Sequence, residues 1–498
     1  MGIGLPRVFA PGAPVSELAL ILTLTLGIAF GALAGKEVST ARYILGGLGG
    51  IIFFLIASSG RITALRLIMI WLVMLGLIRR FLIPFAGWSP NDPLLLVGPA
   101  CAFLIWLNGR QNSPKKLDAI TLITLFFMFW VGGQIFNPNQ SSIMVGLQGA
   151  LFWFPSLLWL MVGRTFPLKI HRSIIHLLMV LSIPVALHGL YQTYVGLLPF
   201  EYTWVGVSGF GESIFYAGFK VRSFSTLVSP EEYGIFLSVM CMFWWSKILM
   251  EEKDRIWRIP LFGFLVWALF LQGSRGIFLF FMVGIFVTGL MRLRGFPARL
   301  ALVGVAVMGI GLASQAEPPK EQGAGADQVV NHQLRGLLDP FSEEGTGPLH
   351  LRLVRDGFER SWENPFGLGP ASTTLVSKRA TGDTFQTEND LSTVFVAFGI
   401  LMGVTFTMFI VILYSVAGRR FRLNRNWYTL AVVGMLVAAT SRTWAGSHYA
   451  VTSIIWFTLG GLCRPVEEIS LDHQEVDQAE VDQASELTER ELEPALAE

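Results

Sequence analysis

The chain has 498 residues, of which 53% are hydrophobic and only 14% charged, with a mean hydropathy of +0.56. Soluble domains carry about 25% charged residues, so this composition excludes a soluble globular protein and points to a membrane protein. The net charge of +2 hides an asymmetry: residues 465–498 hold 12 acidic side chains against one Arg, so the preceding 464 residues carry a net +13.

Apolar runs fall at 16–35, 41–58, 62–78, 93–107, 117–135, 143–163, 173–198, 230–249, 259–273, 275–291, 297–313, 389–417, 427–446 and 448–463. A helix needs ~20 such residues to span a bilayer. The runs are continuous rather than alternating, which predicts helices and not a barrel. The expected fold is all-α: a polytopic integral membrane protein with about 14 transmembrane helices. The first run ends Ala32-Leu33-Ala34-Gly35, faintly like a signal-peptidase site. It is long and only Arg7 precedes it, so an uncleaved span is expected.

Lys and Arg in short loops set orientation. Arg110, Lys115 and Lys116 share one loop, and Arg164, Lys169 and Arg172 the next on that side. Lys247, Lys253, Arg255 and Arg258 follow, then Arg292, Arg294 and Arg299, then Arg419, Arg420, Arg422 and Arg425. With fourteen spans these share the cytoplasmic side, together with both termini. Lys36, Arg42, Arg79 and Arg80 fall outside.

The outer side then holds 78–92, 199–229, the turn Gly273-Ser274-Arg275-Gly276, the long loop 314–387, and 442–448. The expected division is 1–313 with helices 1–11, 314–387 as one large extracytoplasmic loop, 388–464 with helices 12–14, and 465–498 as a charged, disordered cytoplasmic tail. The loop opens Gly/Pro-rich at 317–325. Leu351, Val354, Phe358 and Trp362 then recur at helical spacing, with Arg352, Arg355 and Glu359 on the adjacent face. This predicts a short amphipathic helix on the outer membrane surface over a cavity. Asn364-Pro365 stops it, and 366–370 forms a turn.

At 383–403 the loop becomes an apolar helix, with Glu388, Asn389 and Asp390 at its rim. Asn and Asp at a helix start cap free backbone N–H groups, which is one reading of Asn389 and Asp390, beside a supporting role in a site. Glu388 is a weaker cap and suits a general base. Arg222, Arg275 and Arg442 lie at the outer ends of apolar runs, where charge is costly. Snorkelling to headgroups is one explanation; a fork of donors gripping phosphate oxygens is the other. Arg352 and Arg355 could join such a pocket or line a solvated face. Arg79 and Arg80 are read as lipid-headgroup contacts. His188 reads as a packed polar residue, His332 and His350 as solvated loop residues, and His448 as a rim residue that could reach the site. Cys101, Cys241 and Cys463 sit in apolar runs, with neither a disulfide framework nor metal spacing. No Walker loop or dinucleotide fingerprint is present. No metal, cofactor or nucleic-acid partner is expected, and energy must come from the substrate.

These residues resemble the O-antigen ligase and polymerase superfamily of bacterial envelope glycosyltransferases. The resemblance spans 221–403. It is carried by Gln272-Gly-Ser-Arg275-Gly276, by Arg352 through Trp362-Glu-Asn364-Pro365-Phe-Gly367-Leu-Gly369, and by Glu388-Asn389 with Phe398-Gly399-Ile-Leu-Met-Gly403. Arg222 and the single large late loop also match. Ligases of this family usually carry a His immediately before that Asn; Glu388 stands there instead, which favours a polymerase-like or exopolysaccharide member.

The resemblance implies a GT-C-like membrane glycosyltransferase at the outer face of a bacterial inner membrane. Its donor would be a polyprenyl-pyrophosphate-linked oligosaccharide, and its mechanism inverting and metal-independent. Glu388 would be the base and Arg222, Arg275, Arg352 and Arg442 the pyrophosphate ligands. Asn389, Asp390, Arg355 and His448 would support them. The acceptor would be a second lipid-linked glycan in a polymerase, or lipid A core in a ligase, and a chain-length regulator is a further partner in that setting. A flippase of lipid-linked sugars is the alternative of a different class. It would place charges deep in its spans and break helices in both halves, whereas here they gather at the outer rim.

Overall fold

In the computed structural model, the described residues are 40–88, 92–109, 118–208, 215–216, 220–293, 295–313, 326–339, 347–382, 384–385, 387, 389–440 and 449–464. They form an all-helical bundle. The first part comprises α1 (Thr40–Ala57), α2 (Arg61–Phe81), the single turn α3 (Ile83–Ala86), α4 (Val97–Gly109) and α5 (Ala119–Gln134). Next come α6 (Ile143–Ala150), α7 (Phe154–Gly163), α8 (Leu168–Tyr194) and α9 (Pro199–Ser208). Later in the chain stand α10 (Pro230–Met250), α11 (Arg255–Leu271), α12 (Arg275–Arg292) and α13 (Phe296–Ala313). After them stand α14 (Ala326–Leu338), α15 (Gly347–Glu363) and α16 (Leu375–Thr381), then α17 (Asp390–Leu423), α18 (Trp427–Ala438) and α19 (Tyr449–Leu462). One small antiparallel pair, Phe215–Tyr216 with Lys220–Val221, interrupts the helical pattern.

Six helices are long and apolar enough to cross a bilayer: α2, the α6–α7 unit, α8, α10, α12 and α17. Six shorter apolar helices accompany them among the described residues. The run 143–163 is interrupted by a turn at 151–153, just before Pro155. The stretch 314–387 also holds more structure than one amphipathic helix, since α14, α15 and α16 all fall within it. Its expected helix at 349–362 is α15.

The middle of the bundle is α10, buried on nearly every side and packed on α18, α12 and α11. A helix apolar all round belongs in such a core. Small residues let the helices approach closely. A Cβ on Gly163 of α7 would strike the Phe457 carbonyl of α19, and one on Gly460 would strike the Leu160 carbonyl in return.

The 21 residues of α2 span about 30 Å at 1.5 Å per residue, so its two ends mark the two ends of the bundle. At the first, Arg61 donates to the carbonyls of Ile105 (3.3 Å) and Thr165 (3.4 Å) and covers the Phe166 ring. Arg164 pairs with Asp118 at 2.6 Å, Arg464 donates to the Phe166 carbonyl, and Arg420 to the Arg464 carbonyl. Arg61, Arg464 and Arg420 thus meet carbonyls at or just past helix C-termini, which carry partial negative charge, while Arg164 meets the carboxylate that caps the start of α5. The opposite end gathers 79–88, 92–95, 222–232, 272–275 and 449–451. There Tyr449 donates to the Leu95 carbonyl, and the backbone N–H of Ala450 to Glu232 Oε1 at 2.6 Å.

Candidate functional site

At the second end, α17 is broken. Gly399 has φ 83° and ψ 179°, a conformation open essentially to glycine alone. The break exposes backbone groups that a membrane environment would leave unsatisfied. The turn 364–370 fills it. Leu368 N–H donates to the Val396 carbonyl (2.9 Å), Gly369 N–H to the Ala397 carbonyl (2.9 Å), and Ile400 N–H to the Pro365 carbonyl (3.0 Å). Trp130 Nε1 donates to the Phe398 carbonyl at 3.1 Å. The turn passes so close to α17 that a Cβ on Gly367 would strike the Ala397 carbonyl. Its outer side is held by Gln134 and Asn137, which donate to the carbonyls of Phe366 (2.8 Å) and Gly367 (2.9 Å), and by Trp153 Nε1 to the Pro370 carbonyl (3.1 Å). The Asn364-Pro-x-Gly-x-Gly turn and Phe398-Gly399-Ile are therefore one interlocked unit.

This unit fixes the rim. Helix α15 packs on the first part of α17, where Phe358 meets Phe395 with ring centroids 5.1 Å apart and Gly357 faces Ser392. Asn389 caps α17 by accepting the Ser392 N–H at 2.8 Å, and Asp390 is buried in the first turn, where its charge suits the helix N-terminus. Glu388 lies outside the described residues, as do Arg442 and His448.

The Arg222 side chain reaches the turn that leads into Arg275. Arg222 Nη2 donates to Ser274 Oγ at 2.8 Å, and Ser274 directly precedes Arg275. The turn is built by Gln272, whose carboxamide donates to the Pro230 carbonyl (2.7 Å) and accepts the Ser274 N–H (3.0 Å). Gly273 beside it has φ 84°. Arg275 reaches into α14, with Nη2 2.8 Å from His332 Nε2 and its guanidinium lying against Gly336. His332 is thus half-buried rather than solvated, because α14 docks on α11 and α12 and carries it to Arg275. Arg352 and Arg355 lie on the exposed face of α15, beside an open hollow lined by Leu351, Arg352, Arg355, Asp356 and Glu359. Arg355 pairs with Glu359 at 2.6 Å, and that hydrogen bond raises its pKa. In the amphipathic stripe, Leu351 and Trp362 stay exposed, while Gly357 and Ser361 are the buried contacts.

A buried polar network behind the rim is the main feature the sequence reading missed. Arg79 and Arg80 do not face headgroups. Arg79 pairs with Asp92 at 2.8 Å under the Trp88 ring. Arg80, 1% exposed, donates to the carbonyls of Ser225 and Leu227 (2.6 Å for the latter) and lies 4.0 Å from Glu201. The partners of Arg80 come from 201 and 225–227, far along the chain, so position in an apolar run could not reveal them. His188 is packed against Glu201 at 3.4 Å. Glu232 is also buried and caps α19 through the N–H of Ala450. Its signal in the sequence, an acidic pair at the start of an apolar run, reads equally well as an ordinary first-turn carboxylate.

No curated protein matches this chain. Residues 260–407, which run from α11 through the broken part of α17 and include Arg275, the interlocked turn and the Asn389 cap, match the sequence profile of the family described as O-antigen ligase. Over that segment the chain is similar to the O-antigen ligase family, and its long apolar helices are those of a multi-pass membrane protein.

Proposed function

We propose that this protein is a polysaccharide polymerase that joins glycan units carried on polyprenyl pyrophosphate, at the outer face of the inner membrane. The observation that carries this reading is that Arg222 hydrogen-bonds the turn leading into Arg275, at the same end of the bundle as the capped start of α17. Guanidinium forks supplied from either side of this turn would match the oxygens of a pyrophosphate.

In the proposed reaction an acceptor sugar hydroxyl attacks the anomeric carbon of the donor. The new glycosidic C–O bond forms as the anomeric C–O bond to pyrophosphate breaks. The bonding electrons leave with the polyprenyl pyrophosphate, whose growing charge Arg222 and Arg275 stabilise, with Arg352 or Arg442 assisting. Glu388 takes the hydroxyl proton, and Asn389 holds the helix start beside it. In-line attack inverts the anomeric centre. The departure from His at position 388 favours a polymerase over a ligase that transfers to lipid A core.

Purified protein incubated with a lipid-linked oligosaccharide tests this. A ladder of longer lipid-linked products is expected. Transfer to a different acceptor without a ladder assigns a ligase instead, and no transfer to either overturns the enzyme reading in favour of a flippase.

A further inference from the structure

We infer that Arg80 and Gln192 are positioning residues that set where Arg222 points, by clamping the backbone of the segment that follows it. Residues 223–227 have no regular structure, yet all five are buried. Backbone groups in such a segment need partners. Gln192 supplies two of them at once: its carboxamide oxygen accepts the N–H of Phe224 (3.0 Å) and of Ser225 (2.8 Å). Its NH2 donates to Glu201 Oε1 at 2.7 Å, which fixes the orientation of the amide. Arg80 takes the opposite groups, the carbonyls of Ser225 and Leu227. Leu77 N–H donates to the Thr226 carbonyl at 2.9 Å, and Ser225 Oγ to the Val185 carbonyl at 2.6 Å.

The clamp is tight in two independent ways. Ser225 has φ 50°, the left-handed region that non-glycine residues enter only when surroundings impose it. Gly76 of α2 has no room for a Cβ, which would strike the Leu227 carbonyl. Burying a guanidinium is costly, and an apolar side chain could fill the same space between Trp204 and Phe224, whose rings Arg80 covers. What an apolar residue could not do is hold two carbonyls. Arg222 is the residue just before the clamped segment, and its side chain reaches Ser274. A shift of the 224–227 backbone would therefore move the Arg222 guanidinium away from the turn that leads into Arg275. A misplacement of about 1 Å can cost about 10²-fold in rate.

This inference rests on the proposed role of Arg222 in gripping the donor pyrophosphate. A double-mutant cycle tests it on the purified full chain. Arg80→Lys keeps the charge but loses the fork; Gln192→Met keeps the length but loses both amide functions and serves if the first variant does not fold. Either is expected to lower glycan transfer by about tenfold or more in the wild-type background. Each should cost less than about twofold in an Arg222→Gln background, since coupled sites do not add. Equal losses in both backgrounds, or none in the first, overturn the inference while leaving the proposed function standing. A wild-type chain that transfers nothing overturns both. Amide hydrogen exchange on the wild-type protein gives a readout that needs no variant: Phe224 and Ser225 should be the slowest amides of 222–229, and fast exchange there overturns the clamp.

Discussion

Ile400 donates its backbone N–H to the carbonyl of Pro365 at 3.0 Å, across the gap where α17 breaks at Gly399. A helix N–H that looks outside its own helix is costly in lipid unless its partner is fixed. Here the partner belongs to the 364–370 turn, so the break and the turn hold each other. The rim residues of 389–398 are thereby tied to α15 and to the 364–370 turn.

That interlock predicts the effect of one methyl group. Gly399→Ala must hold alanine at φ 83° and ψ 179°, with its Cβ against the Pro365 carbonyl. The backbone strain alone is about 1–3 kcal/mol. The variant is expected to melt at a lower temperature in detergent and to expose the 364–370 turn to protease. Gly418→Ala serves as a comparison, since its helical position in the same helix lacks the positive φ and a Cβ there meets no neighbour. An unchanged melting temperature for Gly399→Ala would mean that the break is not required.

Orientation is tested by labelling. Glu359 is exposed on α15, whereas Cys101, Cys241 and Cys463 are all buried, which keeps the background low. Glu359→Cys should react with an impermeant thiol reagent in intact spheroplasts. Labelling seen only after lysis would put the rim on the cytoplasmic side and sink the proposed reaction geometry.

The other end of the bundle offers a pH test. Burial pushes the Asp118 carboxyl up, but hydrogen bonds from Arg164 and Thr121 outweigh it and hold the pKa below the usual range. A carboxylate whose folded pKa is depressed stabilises the fold above its unfolded value, near 3.9, and loses that contribution as pH falls through the folded value. Asp118→Asn keeps the cap on α5 and removes the charge opposite Arg164. The expected loss at neutral pH is about 1–2 kcal/mol, because Asp118 is partly exposed and the pair is screened. The difference from wild type should shrink below about pH 4. A difference that stays constant down to pH 2 would assign the effect to the cap.

Lysine substitutions separate grip from anchoring at the rim. Arg222→Lys and Arg275→Lys retain charge and lose the fork. Each is expected to reduce transfer by about tenfold or more, for a loss of about 1.4 kcal/mol, while insertion and folding stay normal. Full activity in both would mean that these side chains only hold Ser274 and His332 in place.

How far the sequence could be read follows from the range of each interaction. Apolar runs mark helices because lipid imposes the pattern locally, and the spacing of Leu351, Val354, Phe358 and Trp362 marks α15. The cap at Asn389 is equally local. The break at Gly399 is invisible in a continuous apolar run, since hydropathy does not register φ, and its partner lies at Pro365. Arg79 and Arg80 resemble headgroup anchors until Asp92, Glu201 and the carbonyls of Ser225 and Leu227 are brought to them. His332 sits in a polar stretch whose docking on α11 and α12 no local pattern announces.

The final prediction concerns the base. A sugar hydroxyl attacks poorly until its proton is accepted, and positioned general-base help is worth about 10²–10⁴-fold. Asn389 already caps α17 through the Ser392 N–H, and Asp390 is buried in its first turn. Both have structural duties, which leaves Glu388 as the carboxylate proposed for proton transfer. A reference pKa of about 4.3 keeps a glutamate ionised at the outer face. Glu388→Gln keeps size and hydrogen bonding and removes the base. The expected result is a folded protein that binds donor normally and transfers about 10²–10⁴-fold more slowly, with Glu388→His restoring part of the rate. Near wild-type turnover in Glu388→Gln would assign the proton to Asp390 or His448 instead.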